Sequence, residues 1–197
     1  MSKLIRAFIL LFLASSCGSG YGSAPDRLDN ACSIIRERPE YLKAFRETER
    51  RWGVPIHVQM ATIYHESRFI SNARPPYRYF LGIIPTGRQS SAYGYSQALD
   101  GTWDDYQRKT GNRWARRDRM RHAADFMGWY MTRSRDLLNI SLHDARNQYL
   151  AYHEGHTGFR RGSHNNKKWL LRKSHDVQSR ANLYQQQLAS CIGERIA

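Results

Sequence analysis

Ala61-Thr62-Ile63-Tyr64-His65-Glu66-Ser67-Arg68-Phe69 is the run from which the rest of the chain is read. Pro55 suits a first helical position after Gly53, and no breaker follows until Pro75, so the spacing predicts a helix with Glu66 in its last turn. Ile56, Met60, Ile63 and Tyr64 form one apolar stripe, and Glu66 lies at its edge. A carboxylate there is partly desolvated and faces the unpaired carbonyls of a helix end, and both favour its protonated form. A general acid working near neutral pH needs that form. The helix alone more often means a surface glutamate paired with Arg68 or another base, because perturbed carboxylates are the minority case.

The chain begins with a basic stretch, Ser2-Lys3-Leu4-Ile5-Arg6, followed by the apolar run Ala7-Phe8-Ile9-Leu10-Leu11-Phe12-Leu13. This reads as a signal peptide over residues 1–16, too short to span a membrane. Ala14-Ser15-Ser16 then lead to Cys17, which resembles the lipobox of bacterial lipoproteins. The match is incomplete, since Ala14 stands where a branched residue is usual and Leu13 lies one place further back. The resemblance implies acylation at Cys17 and membrane attachment through the acyl chain; secretion with cleavage nearby is the alternative.

Two cysteines remain, Cys32 and Cys191. In an exported protein they allow one disulfide, tying the start of the mature chain to its last helix, or two inert thiols. Removal of residues 1–16 leaves 29 basic against 17 acidic side chains, a formal net charge of +12. An anionic partner is expected, and an exported chain meets wall polymer and membrane surface before nucleic acid, for which no motif is present.

Residues 17–28, rich in Gly and Ser near Gly18–Ala24, read as a tether, and residues 29–197 suffice for one domain. The punctuation predicts a short helix near Asn30–Arg38 and another over Pro39–Trp52 closed by Gly53. Asn72 to Ser96 reads as a long irregular loop holding Tyr77, Tyr79, Phe80, Tyr93 and Tyr95, either a ligand platform or a loop packed onto the domain. Asp100 and Asp118 are expected to cap two further helices, and Ser141-Leu142-His143-Asp144 to open one that stops before Gly155. Ala123, Phe126, Met127, Tyr130 and Met131 recur at core spacing. Asn165–Lys173 is a basic helix or loop, and Val177, Ala181, Tyr184 and Leu188 face inward on the last helix, with Cys191 just past it. No strand pattern persists, so the fold class is mainly α.

Three signals occur in order: Glu66-Ser67-Arg68-Phe69; Gly94-Tyr95-Ser96-Gln97 with Thr102-Trp103; and Ala151-Tyr152-His153. Together they resemble the lytic transglycosylases of the goose-lysozyme-like kind, from about Tyr41 to Tyr184. The resemblance implies a lysozyme-like helical domain with a long irregular cleft loop, acting on peptidoglycan glycan strands in the periplasm, anchored to the outer membrane, as a monomer and without cofactor or metal. It assigns Glu66 as the catalytic acid, Ser67 as the serine that orients acid and substrate, and Gln97 as a residue lining the cleft. It assigns Tyr152 as a hydrogen-bonding partner near the carboxyl, with Tyr95 and Tyr184 as further substrate-holding tyrosines. The implied chemistry cleaves the bond between N-acetylmuramic acid and N-acetylglucosamine and closes a 1,6-anhydro ring. A hydrolytic muramidase and a silent wall-binding protein are the alternatives.

The chain departs from the family pattern at two places. Ser96 replaces a usual Met, which predicts a smaller, more polar cleft wall. His153 and Glu154 replace Asn-Ala, so Glu154 either faces the cleft as a base for water or points outward. His65 reads as a packing neighbour of Glu66. His153, Glu154 and His156 lack the i, i+4 histidine spacing of a zinc site.

Overall fold

The helix that carries Glu66 runs Ile56–Ser67 (α3, the third helix described) and forms the centre of the molecule. The computed structural model describes residues 22–193. The leader, the small-residue run and Cys17 lie outside them, and no helix among the described residues is long and apolar enough to cross a membrane. Pro55 takes the N-cap with extended backbone, one place earlier than its expected position. The expectation of a single buried stripe is corrected: Val58, Gln59, Met60, Ala61, Thr62 and Ile63 are all buried. A helix enclosed on every side must satisfy its polar groups internally. Gln59 does so by donating to the carbonyls of Phe45 (3.1 Å) and Val54 (2.7 Å).

Around α3 pack α1 (Ala31–Glu37), α2 (Pro39–Trp52), α4 (Asp100–Thr110), α5 (Met120–Leu138), α6 (Ala145–Arg160) and α7 (Lys168–Gly193). Helices α2, α5, α6 and α7 touch α3 directly. Pro39 opens α2 and Gly53 closes it in the left-handed conformation (φ 73°), as the punctuation predicts. Helices α2 and α5 meet at Gly128, where an added Cβ would lie 2.5 Å from Trp52. Asp125 clamps this junction, accepting from Trp52 Nε1 (2.8 Å), Tyr106 Oη (2.6 Å) and Arg51 (3.0 Å). The expected α5 core residues Ala123, Phe126, Met127, Tyr130 and Met131 are buried.

Three expected caps are corrected. Leu99 caps α4 while Asp100 sits in the first turn and pairs with Arg117 (2.7 Å). Arg119 caps α5, and Asp118 is engaged by Arg116 (2.7 Å). Asp144 alone caps α6 through Asn147 N–H, and Ser141 Oγ accepts from His143 N–H instead. Gly155 breaks the helical path where expected (φ 71°, ψ 157°), and a further turn continues to Arg160.

The loop Asn72–Ser96 is not wholly irregular. It holds an antiparallel hairpin, β1 (Tyr77–Phe80) and β2 (Ile84–Arg88), with a bulge between Arg78 and Tyr79. Tyr, Phe, Ile and Thr favour strands, and Pro85 is tolerated because the hairpin has only edges.

Cys32 and Cys191 form the expected disulfide, with Cα atoms 6.0 Å apart across 159 residues. Cys191 lies within α7 rather than past it. Residues 22–28, read with the tether, run along the domain: Pro25 is buried and Asp26 N–H donates to the Glu37 carboxylate.

Candidate active site

Helix α3 ends on an unusual pair. Arg68 (φ 53°) and Phe69 (φ 60°) both adopt the left-handed backbone that non-glycine residues avoid at roughly 1 to 2 kcal/mol each. Phe69 offsets the cost by entering the core, stacked on Tyr41 at 5.9 Å. The turn fixes Glu66, in the helix's last turn, against α6 and α7.

Burial pushes the Glu66 carboxyl up to about 8, against the opposing pull of the Lys173 ammonium on α7 and a hydrogen bond from Tyr149 on α6. Burial rather than the helix end dominates. At neutral pH the group carries a proton, and once the proton leaves, the Tyr149 hydroxyl and the positive charge of Lys173 favour the anion. Tyr149 is a core phenol whose own ionisation is driven far upward by burial and the Glu66 charge. Among the described residues, no second carboxylate acts on Glu66.

Tyr152 lies one turn beyond Tyr149. Its hydroxyl donates to the Ser96 carbonyl (2.5 Å), and burial and the Glu66 charge raise its pKa. The hydrogen bond to the carboxyl expected of Tyr152 thus belongs to Tyr149, one turn earlier on the same helix. Its i, i+3 spacing from Tyr152 was the available signal, since both lie on one helix face. Tyr152 also packs edge-on against Tyr130 at 5.0 Å.

The loop motif is built to hold its shape. At Gly94 (φ 77°), a Cβ would fall 2.2 Å from the Arg117 carbonyl oxygen, so only glycine fits. Gln97 (φ 50°) donates from Nε2 to the carbonyls of Ala73 (2.9 Å) and Gly94 (2.8 Å). Ser96 departs from expectation: it is fully buried and its Oγ has no hydrogen-bond partner, so it faces the interior rather than a polar cleft wall. Ser67 is buried, with Oγ donating back to the Ile63 carbonyl (3.3 Å).

Two tyrosines expected to hold substrate are placed otherwise. Tyr95 is 8% exposed, and its hydroxyl is hydrogen-bonded to Tyr41 Oη (2.9 Å) and to Ser71. Tyr184 is wholly buried and donates to the Leu28 carbonyl, beside Gln187, which accepts from Ala31 N–H (2.8 Å). Both tyrosines brace the frame.

Glu154 is neither a cleft base nor an outward group. Its side chain is 4% exposed; burial raises its pKa, but hydrogen bonds from Lys167, Ser163 and His153 prevail and hold it at about 2. His153 leans on Trp169 and His156 stacks on Tyr130 at 4.4 Å. His65 packs edge-on against Tyr149, and burial lowers it to about 4, so the ring is neutral. Between the end of α3 and α7, an open pocket of about 390 Å³ is lined by residues including Tyr64, His65, Arg68, Lys173, Asp176 and Arg180, but not by Glu66. Arg68 and Arg180 both lie over the Tyr64 ring at 4.0 Å.

Residues 5–191 match the protein family described as Transglycosylase SLT domain. A search of curated proteins finds no match.

Proposed function

The chain belongs to the transglycosylase SLT domain family and is a peptidoglycan lytic transglycosylase, and from that premise we propose that Glu66 serves as acid and then base in cleaving the β-1,4 bond between N-acetylmuramic acid and N-acetylglucosamine. The observation that carries the reading is a half-buried carboxyl, kept protonated at neutral pH by desolvation, with a phenol and the charge of a nearby ammonium favouring its anion. Glu66 gives its proton to the glycosidic oxygen as the bond to the anomeric carbon breaks. The muramic N-acetyl carbonyl attacks that carbon and takes the role that a second carboxylate fills in other glycosidases. The Glu66 anion, favoured by the Tyr149 hydroxyl and the charge of Lys173, then removes the C6 hydroxyl proton, and O6 displaces the acetamido oxygen to close the 1,6-anhydro ring. The clamp on Glu154 favours this route over water attack, because an ionised carboxylate bound to Lys167 is a poor base.

Ser67, Gln97 and Tyr152 are proposed to shape the cleft rather than react. Ser67 steadies the end of α3, Gln97 pins the loop, and Tyr152 joins that loop to α6. The enzyme is proposed to act in the periplasm, exported by residues 1–16 and acylated at Cys17 on the outer membrane. The Cys32–Cys191 disulfide suits an oxidising compartment.

Mass spectrometry of digested peptidoglycan tests the chemistry. Anhydro-ended muropeptides from the wild-type protein and none from Glu66→Gln are expected. Reducing ends would make the enzyme a hydrolase, and full activity in Glu66→Gln would remove Glu66 from its role.

A further inference from the structure

The hairpin is a part of the molecule that the proposed reaction does not use. Strands β1 and β2 form a sheet of their own, and all their residues except Arg88 are exposed. Tyr77, Tyr79, Phe80, Leu81, Ile83 and Ile84 stand between 47% and 79% in solvent, with Leu81 and Ile83 at the turn the most exposed. A contiguous apolar patch of this kind marks an interaction surface.

The order of residues along the hairpin identifies the partner. The turn Leu81-Gly82-Ile83 comes first, then Phe80 opposite Ile84, Tyr79 opposite Pro85, Arg78 opposite Gly87, and Tyr77 opposite Arg88. At the base, the Arg88 guanidinium lies 4.2 Å from the Tyr77 ring and that of Arg74 lies 4.2 Å from the Tyr93 ring. Aliphatic, then aromatic, then cationic is the layering of a membrane leaflet from acyl chains through the interface to anionic headgroups. At about 3.3 Å per residue the tip stands roughly 7 to 10 Å beyond Arg78, the depth to which interfacial segments bury.

We propose that the Tyr77–Arg88 hairpin inserts its Leu81-Gly82-Ile83 tip into a bilayer with anionic headgroups, which pair with Arg74, Arg78 and Arg88. A glycan is a poorer occupant, because Leu81, Ile83 and Ile84 present no flat face to a sugar ring and the tip side chains carry no polar atom. A second copy is poorer too, since it would set these arginines against their own kind. The surplus of 12 positive charges left after removal of residues 1–16 works in the same direction. Inserted in this way, the hairpin fixes the enzyme's orientation at the membrane independently of any acyl chain at Cys17.

The test uses the mature chain, residues 17–197, carrying Cys17→Ser and Ile83→Cys, with an environment-sensitive fluorophore on the new thiol, so that neither the leader nor an acyl chain contributes to the signal. Vesicles of phosphatidylethanolamine and phosphatidylglycerol should blue-shift and brighten the probe, and spin-labelled lipid should quench it. Pure phosphatidylcholine should do so more weakly. Adding Leu81→Asp and Ile84→Asp should weaken partitioning about tenfold or more, with circular dichroism unchanged. No response to anionic vesicles, or one insensitive to the two aspartates, would overturn the proposal. A response only to isolated wall sacculi, or only to rising protein concentration without lipid, would overturn it in favour of glycan or self-association.

Discussion

The phenol of Tyr149 on α6 hydrogen-bonds the Glu66 carboxyl at the end of α3. This bond opposes burial. Burial holds the proton on Glu66, while Tyr149 stabilises the group once the proton has gone, so one carboxyl is supported in both of the states the reaction needs.

The pH dependence follows from that balance. The Glu66 pKa is raised to about 8, so the protonated acid is lost above it and kcat/KM is expected to fall as pH rises through 8. The stability effect has a definite sign: the folded pKa exceeds the ordinary carboxyl value of 4.5, so the advantage of the proton is complete below pH about 4.5 and is lost as pH rises through the folded value. Chemical denaturation of wild type and Glu66→Gln should diverge across this window, with the variant gaining up to about 5 kcal/mol on the wild type by its upper end.

Tyr149→Phe and Tyr152→Phe should separate. Loss of the Tyr149 hydroxyl removes an influence that lowers the Glu66 pKa, so the alkaline limb of the pH profile moves upward. Turnover should fall about tenfold or more, because the anion is no longer held. Tyr152→Phe instead frees the Ser96 carbonyl, and is expected to cost about 1 to 2 kcal/mol of stability with a smaller movement of the limb. Equal limb shifts in the two variants would contradict this assignment.

Reduction of the Cys32–Cys191 disulfide, or its replacement by serines, should lower stability by about 3 to 5 kcal/mol. The melting temperature should drop by roughly 10 °C. The loss arises because the bond joins the N-terminal helix to α7 across nearly the whole domain.

Gly94→Ala should be costly for its size. The residue has φ 77° and no room for a Cβ beside the Arg117 carbonyl, so a loss of more than about 2 kcal/mol is expected by denaturant titration. Cleavage should fall with it, since Ser96 and Gln97 follow in the same turn.

Local punctuation was legible. Pro39 and Gly53 bound α2 and Gly155 interrupts α6, because proline and glycine act through their own backbone. The caps were less so: Asp100 and Asp118 have cap-forming side chains, yet salt bridges with Arg117 and Arg116 engage them instead. The hairpin went unseen because neither strand alternates between a buried and an exposed face.

What the sequence determined by itself was the mainly α fold and the place of Glu66 in a terminal helical turn, both set by short-range periodicity, and the order of its motifs, which carries the family resemblance. Tertiary structure decided what surrounds that carboxyl. Tyr149 rather than Tyr152 bonds it, Lys173 from the last helix faces it, Glu154 is clamped by Lys167, and Tyr95 and Tyr184 brace the core. A side chain's partners depend on how helices distant in sequence cross, and burial, which sets the Glu66 proton affinity, exists only once they have packed.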